Sequence, residues 1–167
     1  MARASARLVI VASLSGSIAS CTLPGTTLGT YDVKGTLGND TCGAAPNPWT
    51  FNVMLSQNAA TLYWSWMDAS PILSGPITPE DHATLTGFQL HNVDSTATGM
   101  GPCDLQRDDD LEVTLGAGSP ASSFEGTIAY SFSPQVGADC SDQLARSGGM
   151  YASLPCSVSY TVVGNRR

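Results

Sequence analysis

Residues 51–66 read FNVMLSQNAATLYWSW, and this stretch decides the fold class. Phe51, Val53 and Leu55 share one parity between Asn52 and Ser56, and after Gln57-Asn58 the chain returns through Leu62, Trp64 and Trp66. Apolar residues at every second position on both sides of a polar turn predict two antiparallel strands, each burying one face. Asn58 is the residue in that turn suited to a positive φ.

The period of two continues outward from this hairpin. In Thr30 to Leu37, Tyr31, Val33, Gly35 and Leu37 alternate with Asp32, Lys34 and Thr36. Downstream, Leu111, Val113 and Leu115 form one strand, Phe124, Ile128, Tyr130 and Phe132 line a longer one with Glu125 on its other face, and Val158, Tyr160 and Val162 alternate near the C-terminus. Ala83 to Val93 has strand character, with Gly87 marking a bulge where the alternation changes face. Pro71, Gly75, Pro76 and Pro79 make Met67 to Pro79 a long loop or a short edge strand around Ile77. The polar segment Gln135 to Ser147 has room for one helical turn at Ser141 to Arg146. The expected architecture is all-β: an antiparallel meander of seven or eight strands, closing into a small barrel or folding as a sandwich.

Composition sets the outer bounds. The chain has 167 residues, 42% hydrophobic and 13% charged, which suits one small domain. A net charge of −7, with Lys34 and six arginines as the cations, argues against a nucleic-acid partner. No apolar run reaches the roughly 18 residues of a membrane-spanning helix.

The N-terminal segment reads as an address. Met1 to Arg7 carries Arg3 and Arg7 without an acid, and Leu8 to Ile18 is apolar or small. The following Ile18-Ala19-Ser20-Cys21 resembles the lipobox of bacterial lipoproteins, with Ile18 where that family usually has Leu. The resemblance implies a signal peptide over residues 1–20, lipid on Cys21, a short tether over 21–27 and a β-domain over 28–167. It also implies the outer membrane, because Thr22 is not the Asp associated with inner-membrane retention. Processing would leave 147 residues and take the formal charge from −7 to −9. An ordinary secretory cleavage fits less well with Ile18 three residues before Cys21. Further on, Gly29-Thr30-Tyr31 resembles the Gly-x-aromatic opening of lipocalin-type barrels over three positions.

With Cys21 assigned to lipid, Cys42, Cys103, Cys140 and Cys156 form an even set that reads as two disulfides, and no CxxC pair suggests a redox or zinc motif. The expected pairing joins Cys140 to Cys156 and Cys42 to Cys103, with the nested and crossed alternatives open.

Few residues suggest chemistry. Asp104, Asp108, Asp109, Asp110 and Glu112 surround Arg107 in what reads as a Gly-rich acidic loop extending to Asp110. Their oxygens suit a hard cation such as calcium, yet the offsets of an EF-hand are missing, so a solvated loop without metal is expected. His82 beside Glu80 and Asp81, and His91, are the imidazoles; no Gly-x-Ser-x-Gly elbow, HExxH or P-loop accompanies them. Tyr63, Trp64 and Trp66 are the ligand-binding candidates, with Trp64 and Trp66 on one face, either core or the lining of a cavity. The expected function is that of a non-enzymatic lipoprotein of the bacterial envelope, anchored at the outer membrane on its periplasmic face or at the cell surface. It would have a ligand-binding or structural role, with a small apolar ligand or an envelope protein as partner and no cofactor. The alternative is an envelope-polymer hydrolase using a histidine and a carboxylate.

Overall fold

The computed structural model describes residues 23–67, 70–93 and 103–167. Eight strands are present: β1 (Thr26–Asp40), β2 (Trp49–Asn58), β3 (Thr61–Ser65), β4 (Leu73–Pro76), β5 (His82–Val93), β6 (Cys103–Leu115), β7 (Ser123–Pro134) and β8 (Cys156–Arg166). Each lies antiparallel to the next and β8 returns to β1, which closes the sheet into an up-and-down barrel rather than a sandwich. Every strand finds both neighbours within residues 26–166, so the barrel is complete without the N-terminal 22 residues.

Closure depends on β1. Its first part pairs with β2 from Thr26↔Gln57 to Gly35↔Trp49, and its later part pairs with β8 from Tyr31↔Arg166 to Asp40↔Val158. Register shifts at Thr27/Gly29 and Leu37/Asn39 bend this long strand, as bulges do where a sheet must curl. Inward positions carry the alternation read from the sequence: Val53 and Leu55, Leu62 and Trp64, Leu111 and Val113, Phe124 and Ile128 are all fully or almost fully buried. Outward positions such as Asp32, Lys34, Asp110 and Glu112 are exposed. Charged side chains thus stand on the outer wall, alongside the exposed Phe88 and Leu90.

Several sequence expectations need correction. From Cys103 to Asp110 the expected loop is a strand: β6 pairs without a break with β5 from His82↔Thr114 to Val93↔Cys103 and with β7 from Leu105↔Pro134 to Leu115↔Phe124, while the glycines of that loop lie outside the described residues. Pairing on both sides satisfies its backbone, and most of its acids project outward into solvent. Gly87 marks no bulge, since the β5–β6 register runs straight through it. Leu73 lies across the glycine, its Cδ2 2.3 Å from where a Cβ would stand. The stretch around Ile77 is no edge strand. β4 sits between β3 and β5, held to β5 by the single pair Ser74↔Thr86, and Ile77 adds an isolated bridge to Ala83. A Cβ on Gly75 would meet Thr84 O at 1.8 Å, so the close approach of the two strands requires glycine.

The β2–β3 turn is where expected, but Ala59 (φ 51°), not Asn58, takes the positive φ; Asn58 instead pairs with Thr61. The expected helical turn is two short 3-10 turns, Ser141–Gln143 and Ala145–Ser147. Residues 23–27, within the stretch expected as a tether, lie against the barrel. Leu23 is buried, Ser56 Oγ donates to Pro24 O at 2.7 Å, and Thr26 and Thr27 already pair with β2.

The disulfides join Cys42 to Cys156 and Cys103 to Cys140. The expected Cys140–Cys156 and Cys42–Cys103 pairs are overturned. Closure between β1 and β8 sets Asp40 opposite Val158, and two residues farther along, this brings Cys42 and Cys156 together. Cys21 lies outside the described residues.

Candidate functional site

The two ends of the barrel are filled differently. At the end where β1 begins and β8 finishes, Tyr31 packs against Phe124 with ring centroids 5.3 Å apart, and its hydroxyl donates to Ala121 O at 2.8 Å. Leu55, Leu62 and Trp64 complete that end at full burial. An eight-stranded barrel is just wide enough to be filled by such side chains. At the opposite end the inward positions carry a cluster of aromatic rings that borders a cavity of about 430 Å³.

Trp49 at the start of β2, Trp66 just beyond β3, Tyr130 and Phe132 on β7 and Tyr160 on β8 form its wall. The Trp49 and Trp66 rings stack at 5.9 Å with 28° between planes, while Tyr160 and Tyr130 approach Trp49 at 4.9 and 6.0 Å. Offset and tilted contacts of this kind suit the quadrupoles of the rings. Ala44, Ala45 and Pro46 after β1, with Met150 and Tyr151, form the rim. The Cys42–Cys156 disulfide ties one side of that rim to β8.

One charged side chain lines this aromatic space. Arg107 and Asp109 share the inward parity of β6, and Arg107 Nε donates to Asp109 Oδ1 at 2.5 Å while Nη2 donates to Oδ2 at 3.0 Å. The Arg107 guanidinium also lies over the Tyr130 ring, 4.5 Å from its centroid. The carboxylate is completely enclosed, whereas Arg107 keeps part of its surface and borders the cavity. Burial of an ionised carboxylate is tolerated here because the guanidinium meets it in a two-pronged contact.

Polar groups at the rim are held by the backbone. Asp40 accepts from Gly43 N–H at 2.7 Å and Ala45 N–H at 3.1 Å; these bonds, Gly43 first, hold its carboxyl below the ordinary aspartate value. Tyr160 donates to Pro46 O at 3.2 Å. Burial pushes the Tyr160 and Tyr151 phenols up; Asp40 adds to the effect on Tyr160 and the Arg107 charge opposes it at Tyr151. The Trp66 indole N–H is buried and without an acceptor among the described residues.

The residues singled out from sequence divide among different places. Trp66 borders the cavity, Trp64 is core beneath it, and Tyr63 is on the outward parity of β3, opposite Ser74. Asp104, Asp108, Asp110 and Glu112 share the outward parity of β6, while Asp109 points inward, so the sheet separates it from the other four. Asp104 accepts from Asn92 Nδ2 and Asp108 from Gln106 Nε2, both at 2.6 Å. No group of three His, Cys, Asp or Glu side chains converges among the described residues. His82 and His91 stand nine positions apart on β5, roughly 30 Å at about 3.3 Å per residue. His82 Nδ1 lies 3.3 Å from Thr114 Oγ1 on the outer wall, near Glu112 and Glu125.

Sequence reasoning missed Trp49, Arg107 and Tyr160 as members of one site. A signal was present for two of them: Trp49 precedes Phe51 by two positions, and Arg107 precedes Leu111 by four, so strict alternation puts both inside.

No family model, curated protein or solved structure matches the chain.

Proposed function

We propose that the protein is a non-enzymatic lipoprotein of the bacterial envelope, anchored at the outer membrane through lipid on Cys21, that binds a small, flat, apolar molecule in the mouth of its barrel. The observation that carries this reading is the cavity of about 430 Å³, within the size range of small-molecule sites and lined by six aromatic side chains in a largely apolar wall. The anchoring half rests on the basic, apolar and small-residue order of residues 1–20 before Cys21. Two disulfides in so small a domain fit an oxidising compartment.

Both halves have direct tests. Native mass spectrometry of residues 22–167 made in an oxidising periplasm is expected to show a co-purified small molecule with all four thiols oxidised. An empty barrel whose tryptophan emission is unmoved by apolar aromatic compounds would overturn the binding reading. Cys21→Ala is expected to release the protein from membranes, and a variant still wholly membrane-bound would overturn the anchoring.

A further inference from the structure

Resting on the cavity-binding reading above, we infer that the molecule bound in the barrel mouth carries one anionic oxygen group, a carboxylate or sulfonate, which docks on the outer edge of Arg107. The asymmetry of the Arg107–Asp109 pair carries this inference. The Asp109 side chain is 0% exposed and takes no part in the cavity wall, whereas Arg107 is 21% exposed and borders it. A molecule entering the mouth therefore meets the cation of the pair and not its anion.

The geometry of the guanidinium adds to this. Asp109 takes Nε–H and one hydrogen of Nη2, which leaves three of the five N–H donors that Asp109 does not use. The group cannot turn freely, because Asp109 grips one edge and the Tyr130 ring lies against its face at 4.5 Å. A fixed planar fork suits a head group with two or more equivalent oxygens far better than a lone hydroxyl. Beside it, the aromatic lining contributed by Trp49, Trp66 and Tyr160 suits an apolar body. The rest of the protein is acidic, so a single negative charge is matched locally while a polyanion is repelled by the surrounding surface.

Two dyes with one skeleton separate the anion site from the cavity. 8-Anilinonaphthalene-1-sulfonate carries the anionic group, and N-phenyl-1-naphthylamine is the same molecule without it. Residues 22–167 would be titrated with each, in parallel with an Arg107→Met/Asp109→Leu double variant whose fold is checked by near-ultraviolet circular dichroism. We expect both dyes to bind one-to-one in competition, the sulfonate about tenfold more tightly, as one charge-assisted contact allows. In the double variant the tenfold preference for the sulfonate over the uncharged dye is expected to disappear, and a preference that survives would overturn the anion site. Equal affinities for the two dyes in the unsubstituted protein would overturn the anion site and leave the cavity reading standing, and that comparison needs no variant to fold. Binding of neither dye would overturn both readings.

Discussion

Arg107 and Asp109 sit two positions apart on one strand and close a two-pronged ion pair inside the barrel, its carboxylate sealed from solvent. Removing one partner strands the other. Arg107→Met alone is expected to cost about 3–5 kcal/mol, and Arg107→Met/Asp109→Leu to recover most of it, because a well-packed apolar pair replaces a buried ionic one at little net cost. Urea unfolding of the four proteins of the cycle reads the difference. A single variant as stable as the parent would mean the pair is not buried as described.

Trp49 and Trp64 belong to the two different ends of the barrel and should fail differently. Trp64 is fully buried between Trp66 and Phe124, so Trp64→Ala should cost about 3–5 kcal/mol. Trp49 is partly exposed at the mouth, so Trp49→Ala should cost clearly less and yet abolish binding of the naphthylamine dyes. Thermal melts and dye titrations on the two variants check the division.

The Cys42–Cys156 link spans a sequence separation of 114 and the Cys103–Cys140 link one of 37. Loop-closure entropy puts them at about 5 and about 4 kcal/mol. Serine replacement of the first pair is therefore expected to lower stability more than replacement of the second. Peptide mapping without reductant should recover Cys42 joined to Cys156, and a Cys140–Cys156 peptide would refute the pairing.

Ala59 holds φ 51° in the β2–β3 turn, a conformation that a Cβ disfavours. Ala59→Gly is expected to raise stability by about 0.5–1 kcal/mol, since relief of the strain exceeds the added freedom of the unfolded chain. A fall in melting temperature would show that the turn adopts another conformation.

Asp40 links pH to the shape of the mouth. Its carboxyl is held below the usual aspartate value by Gly43 and Ala45 N–H, so its contribution is complete above the ordinary carboxylate range and is lost as pH falls through the lowered value. Acid should therefore loosen the rim at Ala44 to Pro46. Asp40→Asn is expected to flatten the fall of melting temperature below about pH 4, the ordinary aspartate value. An unchanged slope would remove Asp40 from that role.

What the sequence disclosed follows from how strands write themselves. β2, β3, β7 and β8 keep apolar residues on the inward parity over most of their length, so both the hairpin and the sides of Trp64, Trp66 and Phe124 were legible. β6 hid itself because its central inward positions hold Arg107 and Asp109, and two charges facing a core look like a solvated loop until the partner of each is known. Trp49 was masked by Pro46 and Pro48 just before it, which signal a loop while the strand has already begun at Trp49. The disulfide pairing depended on β1 meeting β8, a contact between opposite ends of the chain that no local pattern encodes.

On the proposed lipid attachment at Cys21, the contacts of Leu23 and Pro24 with the β2–β3 end would set how the protein stands on a membrane. β2 runs from Trp49 at the open mouth to Asn58 at the filled end, and the chain joins the wall beside Asn58. Cys21 precedes Leu23 by two residues, a leash of about 7 Å at most. A lipid there would seat the filled end against the headgroups, with the opening turned outward a full barrel height above them. Traffic through that opening would then be with the aqueous side or with a facing protein, and the bilayer below would serve as a footing rather than a source.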